Sequence, residues 1–254
     1  MINVVVSGCN GAMGRVLTKA IEEMEDITIV AGIDKNINSY KNAYPVYESP
    51  LSVKEECDVI IDFSKPSNLS GLLEYSVNNN IALVIATTGF SEEEENKIKE
   101  VSKFTRIFKS SNMSVGVNVL INLSKQATNT LGNITDIEII EKHHNQKIDA
   151  PSGTALAIAD AISDTLSEKP CYVYDRHSSR KKRSKSEIGL HAVRGGTIVG
   201  EHEVIFAGND EVIELKHHAA SKEIFAVGAV KAAMFLKDKK PGMYNMNNLV
   251  ESIM

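Results

Sequence analysis

Ile2-Asn3-Val4-Val5-Val6-Ser7-Gly8-Cys9-Asn10-Gly11-Ala12-Met13-Gly14-Arg15 is the stretch that decides the fold of this chain. Residues 2–7 form a short apolar, β-branched run, which suits a strand buried on both faces of a parallel sheet. Beyond the glycines, Met13, Val16, Leu17, Ala20, Ile21 and Met24 recur at helical spacing. A glycine triplet between a strand and an amphipathic helix is the arrangement that binds a dinucleotide. The first glycine makes the tight turn, the second lets backbone approach a pyrophosphate, and the third lets helix and strand pack closely. The spacing Gly8-x-x-Gly11-x-x-Gly14 differs from the commoner G-x-G-x-x-G, and a glycine-rich connection without a ligand is the plainer reading of the loop alone. The flanking strand and helix speak for the dinucleotide. So does Asp34, which closes the next apolar run, 27–33, and lies 20 residues after Gly14. A carboxylate there accepts hydrogen bonds from a ribose diol and repels a 2′-phosphate, favouring NADH. Lys35 offsets that repulsion, so NADH or NADPH is expected, with dual use open.

Moving outward, apolar runs at 57–63, 81–86 and 107–109 predict further strands, and 92–102 a charged helix. Strands alternating with helices predict a doubly wound parallel sheet. Ala86-Thr87-Thr88-Gly89-Phe90 and Ser110-Ser111-Asn112-Met113-Ser114 then fall at carboxyl ends of parallel strands, where such sheets bind ligands. Plain turns are the alternative. After about residue 115 the pattern changes. A strand is predicted at 134–142 and a helix at 155–167. Alternating runs at 197–206 and 212–218 flank Gly208-Asn209-Asp210 as a hairpin. The fold class expected is therefore α/β. It combines a Rossmann-like parallel-sheet dinucleotide domain (1–114 and 224–254) with an α+β substrate-binding and oligomerisation domain (115–223). The second domain is expected to hold an open mixed sheet, largely antiparallel. The helix at 224–236, with Ala226, Val227, Val230, Ala233 and Met234 on one side, is expected to return to the first domain.

Composition narrows the class. The 254 residues, 43% apolar and 24% charged, fit an ordinary globular protein of one large or two modest domains. A net charge of −5 argues against a general nucleic-acid binder. The basic run Arg176, Arg180, Lys181, Lys182, Arg183 and Lys185 lacks interleaved aromatics and reads as a solvated loop. The opening residues show no secretory signal, and no apolar run approaches the ~20 residues needed to span a bilayer. Cys9, Cys57 and Cys171 are odd in number and widely spaced, with neither a disulfide framework nor a zinc pattern. The expectation is a cytoplasmic protein without membrane or nucleic-acid partner.

The chemistry is concentrated in Glu141-Lys142-His143-His144-Asn145-Gln146-Lys147-Ile148-Asp149-Ala150-Pro151-Ser152-Gly153-Thr154-Ala155. Proton-transfer groups sit at a strand end, directly before a helix N-terminus whose free N–H groups and dipole suit an anion. Adjacent His143 and His144 point to opposite sides of an extended segment, so they do not form a metal clamp; the same holds for His217 and His218. No metal is expected. A histidine can shuttle a proton at neutral pH. Lys147 can anchor a dicarboxylate or protonate a carbanion. Ser152-Gly153-Thr154 suits one carboxylate. Each residue alone reads more simply as solvated or satisfied; the cluster reads as a pocket for a small dicarboxylate substrate. Arg194-Gly195-Gly196 borders that pocket or a subunit contact.

On these residues the chain resembles the 4-hydroxy-tetrahydrodipicolinate reductases, long called dihydrodipicolinate reductases, over nearly its whole length. The glycine loop 8–15, Thr87-Thr88-Gly89-Phe90, Asn112-Met113-Ser114-Val115-Gly116-Val117-Asn118, the run 141–155, Val193-Arg194-Gly195-Gly196 and Val199-Gly200-Glu201-His202 carry the resemblance. It implies catalytic roles for His143 and Lys147 and substrate carboxylates bound by His144, Gly153 and Thr154. It also implies a dinucleotide held by Gly8, Cys9, Asn10, Gly11, Ala12 and Met13 with Asp34 and Lys35. Thr87, Thr88, Ser110, Ser111, Asn112 and Met113 would flank the nicotinamide, with Ala86 bordering the cofactor's approach. A homotetramer joined through the sheets of the second domains, and domain closure over the substrate, are implied too. Two features depart from the family: Ala86 replaces a glycine, and the loop 176–183 lacks the usual glycines. An NAD-dependent amino-acid dehydrogenase of aspartate or homoserine type is the enzymatic alternative. A non-catalytic dinucleotide sensor or RNA binder using the basic loop is the alternative of another class.

Overall fold

The structure is a computed structural model and describes residues 1–178 and 180–253. The chain divides into two compact units, Met1–Val115 with Glu223–Met254, and Gly116–Lys222.

The first unit begins with β1 (Ile2–Ser7), α1 (Ala12–Glu22), β2 (Ile27–Ile33), β3 (Val46–Tyr47), β4 (Val59–Asp62), α2 (Leu69–Asn78), β5 (Ala82–Ile85), α3 (Glu92–Val101) and β6 (Arg106–Lys109). The second holds α4 (Val115–Leu131), which opens at the boundary, β7 (Asp136–His143), α5 (Gly153–Ser163), β8 (Cys171–Val173), β9 (Glu187–Arg194), β10 (Gly200–Ala207) and β11 (Val212–Ala219). The chain then returns to the first unit as α6 (Glu223–Leu236), β12 (Gly242–Tyr244) and α7 (Met246–Ile253).

In the first unit seven strands pair in the order β12-β6-β5-β4-β1-β2-β3, all parallel. Successive residues feed two cores. Val4 and Val6, Val59 and Ile61, Val84 and Phe108 join Leu17 and Ile21 of α1, Ala229 and Ala233 of α6 and Leu249 of α7. Val5, Ile60, Leu83, Ile85 and Ile107 face the other way, onto Leu72 and Leu73 of α2 and Ile98 of α3. Burial on both faces is why these strands read as unbroken apolar runs. The return of α6 to this unit follows the sequence expectation, but its apolar side is set differently. Ala226, Ala229, Val230, Ala232, Ala233 and Leu236 are buried, whereas Met234 is exposed.

The second sheet runs β11-β10-β7-β9-β8. β10 pairs antiparallel with β11 and β7, while β7–β9 and β8–β9 are parallel, so the sheet is mixed and not largely antiparallel. The cause is β9, inserted beside β7. One face buries Ile137, Ile139, Ile188, Leu190, Val204 and Phe206 against Leu120 of α4 and Ala155, Ile158, Ala159 and Ile162 of α5. The other carries half-exposed ion pairs such as Lys142–Glu201 at 3.0 Å. The strict alternation along β7 puts Glu141 and His143 on the helix-covered face.

The basic run is more than a solvated loop. Arg183 bonds the carboxylates of Asp136 and Glu138 and the carbonyls of Ile137 and Glu187, and Arg176 pairs with Glu138 and Glu187. Two of its cations therefore tie β7 to β9. Ser179, within the run, lies outside the described residues. No helix among the described residues is long and apolar enough to cross a membrane.

Candidate active site

In the first unit the glycine loop leaves β1 and enters α1. Gly8 has φ +77, and a Cβ there would lie 2.7 Å from the Phe63 carbonyl oxygen, so the turn admits only glycine. A Cβ on Gly14 would collide with the Gly8 carbonyl oxygen. Gly11 is the N-cap of α1, and no side chain caps the helix, which leaves first-turn N–H groups for an anion. These features fit a pyrophosphate cradle. Asp34 organises the loop further. Its carboxylate accepts from the backbone N–H groups of Asn10 (3.1 Å) and Asn36 (2.9 Å), and the Asn10 side chain donates to the Asn36 carbonyl at 2.7 Å.

Gly8, Asn10, Gly11, Asp34 and Lys35 line one cleft of about 490 Å³, together with Tyr40, Phe63, Ser64 and Lys65, which sequence reasoning did not single out. Cys9 turns its side chain away from the cleft, the thiol donating to Asn10 Oδ1 at 3.8 Å. Its side chain is fully buried, and burial, followed by the charge of Asp34, pushes the thiol up to about 11. Ala12 is exposed and Met13 half-buried at the start of α1. The other expected cofactor residues line the carboxyl ends of β5 and β6, outside this cleft. Ala86, Ser110 and Asn112 are half-buried, Thr88 and Ser111 exposed, and Met113 is packed in the core. Thr87 is buried, and its hydroxyl donates to Asp62 at 2.7 Å. Asp62 also accepts from the Ser64 hydroxyl (2.5 Å) and N–H (3.2 Å), so one carboxylate ties the loops after β4 and β5 together. Burial pushes the Asp62 carboxyl above its ordinary range against these donors.

In the second unit the end of β7 carries a buried polar network. Glu141 is 1% exposed. Its carboxylate accepts two N–H bonds from the Arg194 fork (2.8 and 2.7 Å), one from the Ser152 backbone (3.0 Å), and meets His143 Nδ1 at 2.6 Å. Burial alone would raise its pKa, but Arg194, His143 and the Ser152 N–H together hold it below the usual carboxylate range. Arg194 also donates to the Asp149 carbonyl at 2.5 Å, joining β9 to the loop that carries Lys147. Lys147 Nζ lies 2.8 Å from the Asp149 carboxylate, which the Gly153 N–H approaches as well. Lys147 and the α5 terminus thus converge on the chain's own Asp149 carboxylate.

Ser152 is the N-cap of α5, accepting from the Ala155 N–H at 3.1 Å and facing His202 Nε2 at 3.1 Å. His202 stands edge-on to His143, with ring centroids 5.3 Å apart. Burial, then the neighbouring His143, pushes His202 down to about 4. His144 is half-buried, Gly153 exposed, and Thr154 half-buried in the first turn of α5. The structure therefore joins His143, Lys147 and the α5 terminus in one network. It adds Glu141 and His202, to which sequence reasoning gave no role, places Arg194 inside the network, and turns Ser152, expected to face a substrate carboxylate, onto Glu141, His202 and the Ala155 N–H. Among the described residues no group of three His, Cys, Asp or Glu side chains is arranged to hold a metal ion.

Comparison with known proteins bears on both units. Residues 2–113 match the family model described as dihydrodipicolinate reductase, N-terminus, and residues 116–250 the one described as dihydrodipicolinate reductase, C-terminus. The chain is 52% identical to the 4-hydroxy-tetrahydrodipicolinate reductase of Clostridium tetani over 252 residues, covering 99% of this chain and 98% of that protein. It is 53% identical to that of Caldanaerobacter subterraneus subsp. tengcongensis over 251 residues, covering 99% of each. The dipicolinate-bound dihydrodipicolinate reductase from Paenisporosarcina sp. TG-14 has the same fold, with TM-score 0.82, 24% identity and coverage of 98% and 99%. An aspartate dehydrogenase from Thermotoga maritima superposes with TM-score 0.51 at 12% identity over 94% of this chain and 98% of that one. Fold alone therefore does not separate the two chemistries; the sequence relatives do.

Proposed function

The chain belongs to the dihydrodipicolinate reductase family, and from that premise we propose how its residues divide the work of reducing 4-hydroxy-tetrahydrodipicolinate to tetrahydrodipicolinate. The enzyme is an NAD(P)H-dependent oxidoreductase of the diaminopimelate route to lysine, and the reaction loses the 4-hydroxyl as water. A reduced nicotinamide supplies the hydride. The glycine loop and the uncapped start of α1 hold the pyrophosphate. Asp34 takes the ribose diol, so NADH is favoured, and Lys35 keeps NADPH usable. Thr87 and Thr88, with Ser110 to Met113, border the nicotinamide end. His143 exchanges a proton with the substrate, and Lys147 supplies the second. His144, Gly153 and Thr154 bind the carboxylates. The enzyme acts in the cytoplasm as a homotetramer, through the ion-paired face of the mixed sheet.

The observation that carries this reading is the network that joins His143, Lys147 and the α5 terminus through Glu141, Arg194 and Asp149. The test is a coupled assay. The substrate is made in situ by the upstream synthase from pyruvate and aspartate semialdehyde, and oxidation of NADH and of NADPH is followed separately. Oxidation that requires the synthase product, faster with NADH, is the expected result. Reduction of NAD⁺ by aspartate or homoserine, with no NADH or NADPH oxidation by the synthase product, overturns it.

A further inference from the structure

Glu141 and His143 are two residues apart on β7, so their side chains leave the same face. His143 Nδ1 lies 2.6 Å from Glu141 Oε2. Every other contact of that carboxylate is a donor: both terminal nitrogens of Arg194 and the Ser152 N–H. A buried carboxylate held by a two-toothed guanidinium stays ionised and can only accept. The proton in the 2.6 Å contact therefore belongs to the ring. On the opposite side of that ring stands Gly200 of β10, where a Cβ would lie 3.1 Å from His143 Nε2. The φ of Gly200 is not in the left-handed region, so the missing side chain serves space and not backbone conformation.

We propose that Glu141 is the positioning residue that fixes the tautomer of His143, holding the neutral ring as Nδ1–H and leaving Nε2 as the nitrogen that exchanges a proton with the substrate. This inference rests on the reading of His143 as a proton-transfer group. In the step itself, the Nε2–H bond of the imidazolium breaks and the proton passes to the substrate. The neutral ring that remains keeps its other proton on Nδ1, bound to Glu141. Arg194 holds Glu141 in its ionised form. Through the Asp149 carbonyl it also fixes the loop bearing Lys147, so one guanidinium sets the positions of both proton-transfer groups. His202, edge-on to the same ring, stays neutral and brings no competing charge.

The test begins with the unaltered enzyme, labelled with ¹⁵N at histidine and assigned by comparison with His143→Gln. The neutral form of His143 is expected to show a protonated Nδ1 and an unprotonated Nε2. The opposite tautomer overturns the proposal, and this measurement does not depend on any variant folding. Glu141→Gln is then expected to lower kcat by about 10²-fold, with KM for the substrate and Kd for NADH within about twofold of the original. In that variant the two tautomers are expected to mix. If His143→Gln loses activity while Glu141→Gln keeps its kcat and its Nδ1–H tautomer, the positioning role is overturned and the reading of His143 stands. If His143→Gln itself keeps full kcat, the reading of His143 fails first.

Discussion

A 2.6 Å contact to a buried carboxylate separates His143 from His144, its neighbour in sequence. In His143→Gln the side chain can still hydrogen-bond but cannot transfer a proton. Its kcat is expected to fall by about 10²-fold or more in the coupled assay, with NADH affinity intact. His202 makes a different kind of prediction. An unfolded histidine takes up a proton near pH 6.5, whereas the folded ring does so only near about 4. The unfolded chain therefore binds more protons between those values. Stability is complete above pH 6.5 and is lost as pH falls toward 4, by at most about 3 kcal/mol from this residue. Urea unfolding at pH 7.0, 5.5 and 4.5 should show a smaller acid loss in His202→Gln than in the original protein. A difference between the two that does not change with pH would remove His202 from the acid response.

At the scale of elements, the β1–loop–α1 unit was legible because everything that defines it is local: a β-branched run, three glycines and a helical apolar stripe within about two dozen residues. Gly14→Ala is accordingly expected to force α1 away from the Gly8 carbonyl, to abolish dinucleotide binding by calorimetry and to lower the melting temperature by several degrees. Unchanged NADH affinity would show that the loop tolerates the wider spacing. α4 was not legible. Its buried stripe passes through Ser124 and Thr128, whose hydroxyls bond back to the Leu120 and Ser124 carbonyls at 2.7 Å, so a covered face looks polar in sequence. β3 and β12, of two and three residues, are too short to produce a period. The role of Glu141 was hidden for another reason. Its counter-ion, Arg194, lies 53 residues away and meets it only because β9 pairs with β7. The residue types of the site could be read in order, but their hydrogen-bonding partners could not.

For the whole molecule, the open face of the mixed sheet carries the prediction of assembly. Light scattering is expected to give four times the 27.8 kDa of one chain, and Ile205→Arg, on that face, to shift the mass downward. A monomer at micromolar concentration would overturn the tetramer. A separate consequence follows from the order in which the parallel sheet is assembled. α6, β12 and α7 complete the core built on Val4, Val6 and Leu17, yet the chain reaches them only after the whole of the second unit. On the ribosome, the glycine-loop half must wait, with one apolar face of its sheet covered by α1 alone, while about a hundred intervening residues are made and folded. The interrupted unit is thus the aggregation-exposed part of biosynthesis. A chain halted after residue 222 should release a folded inner unit attached to an outer one that engages chaperones.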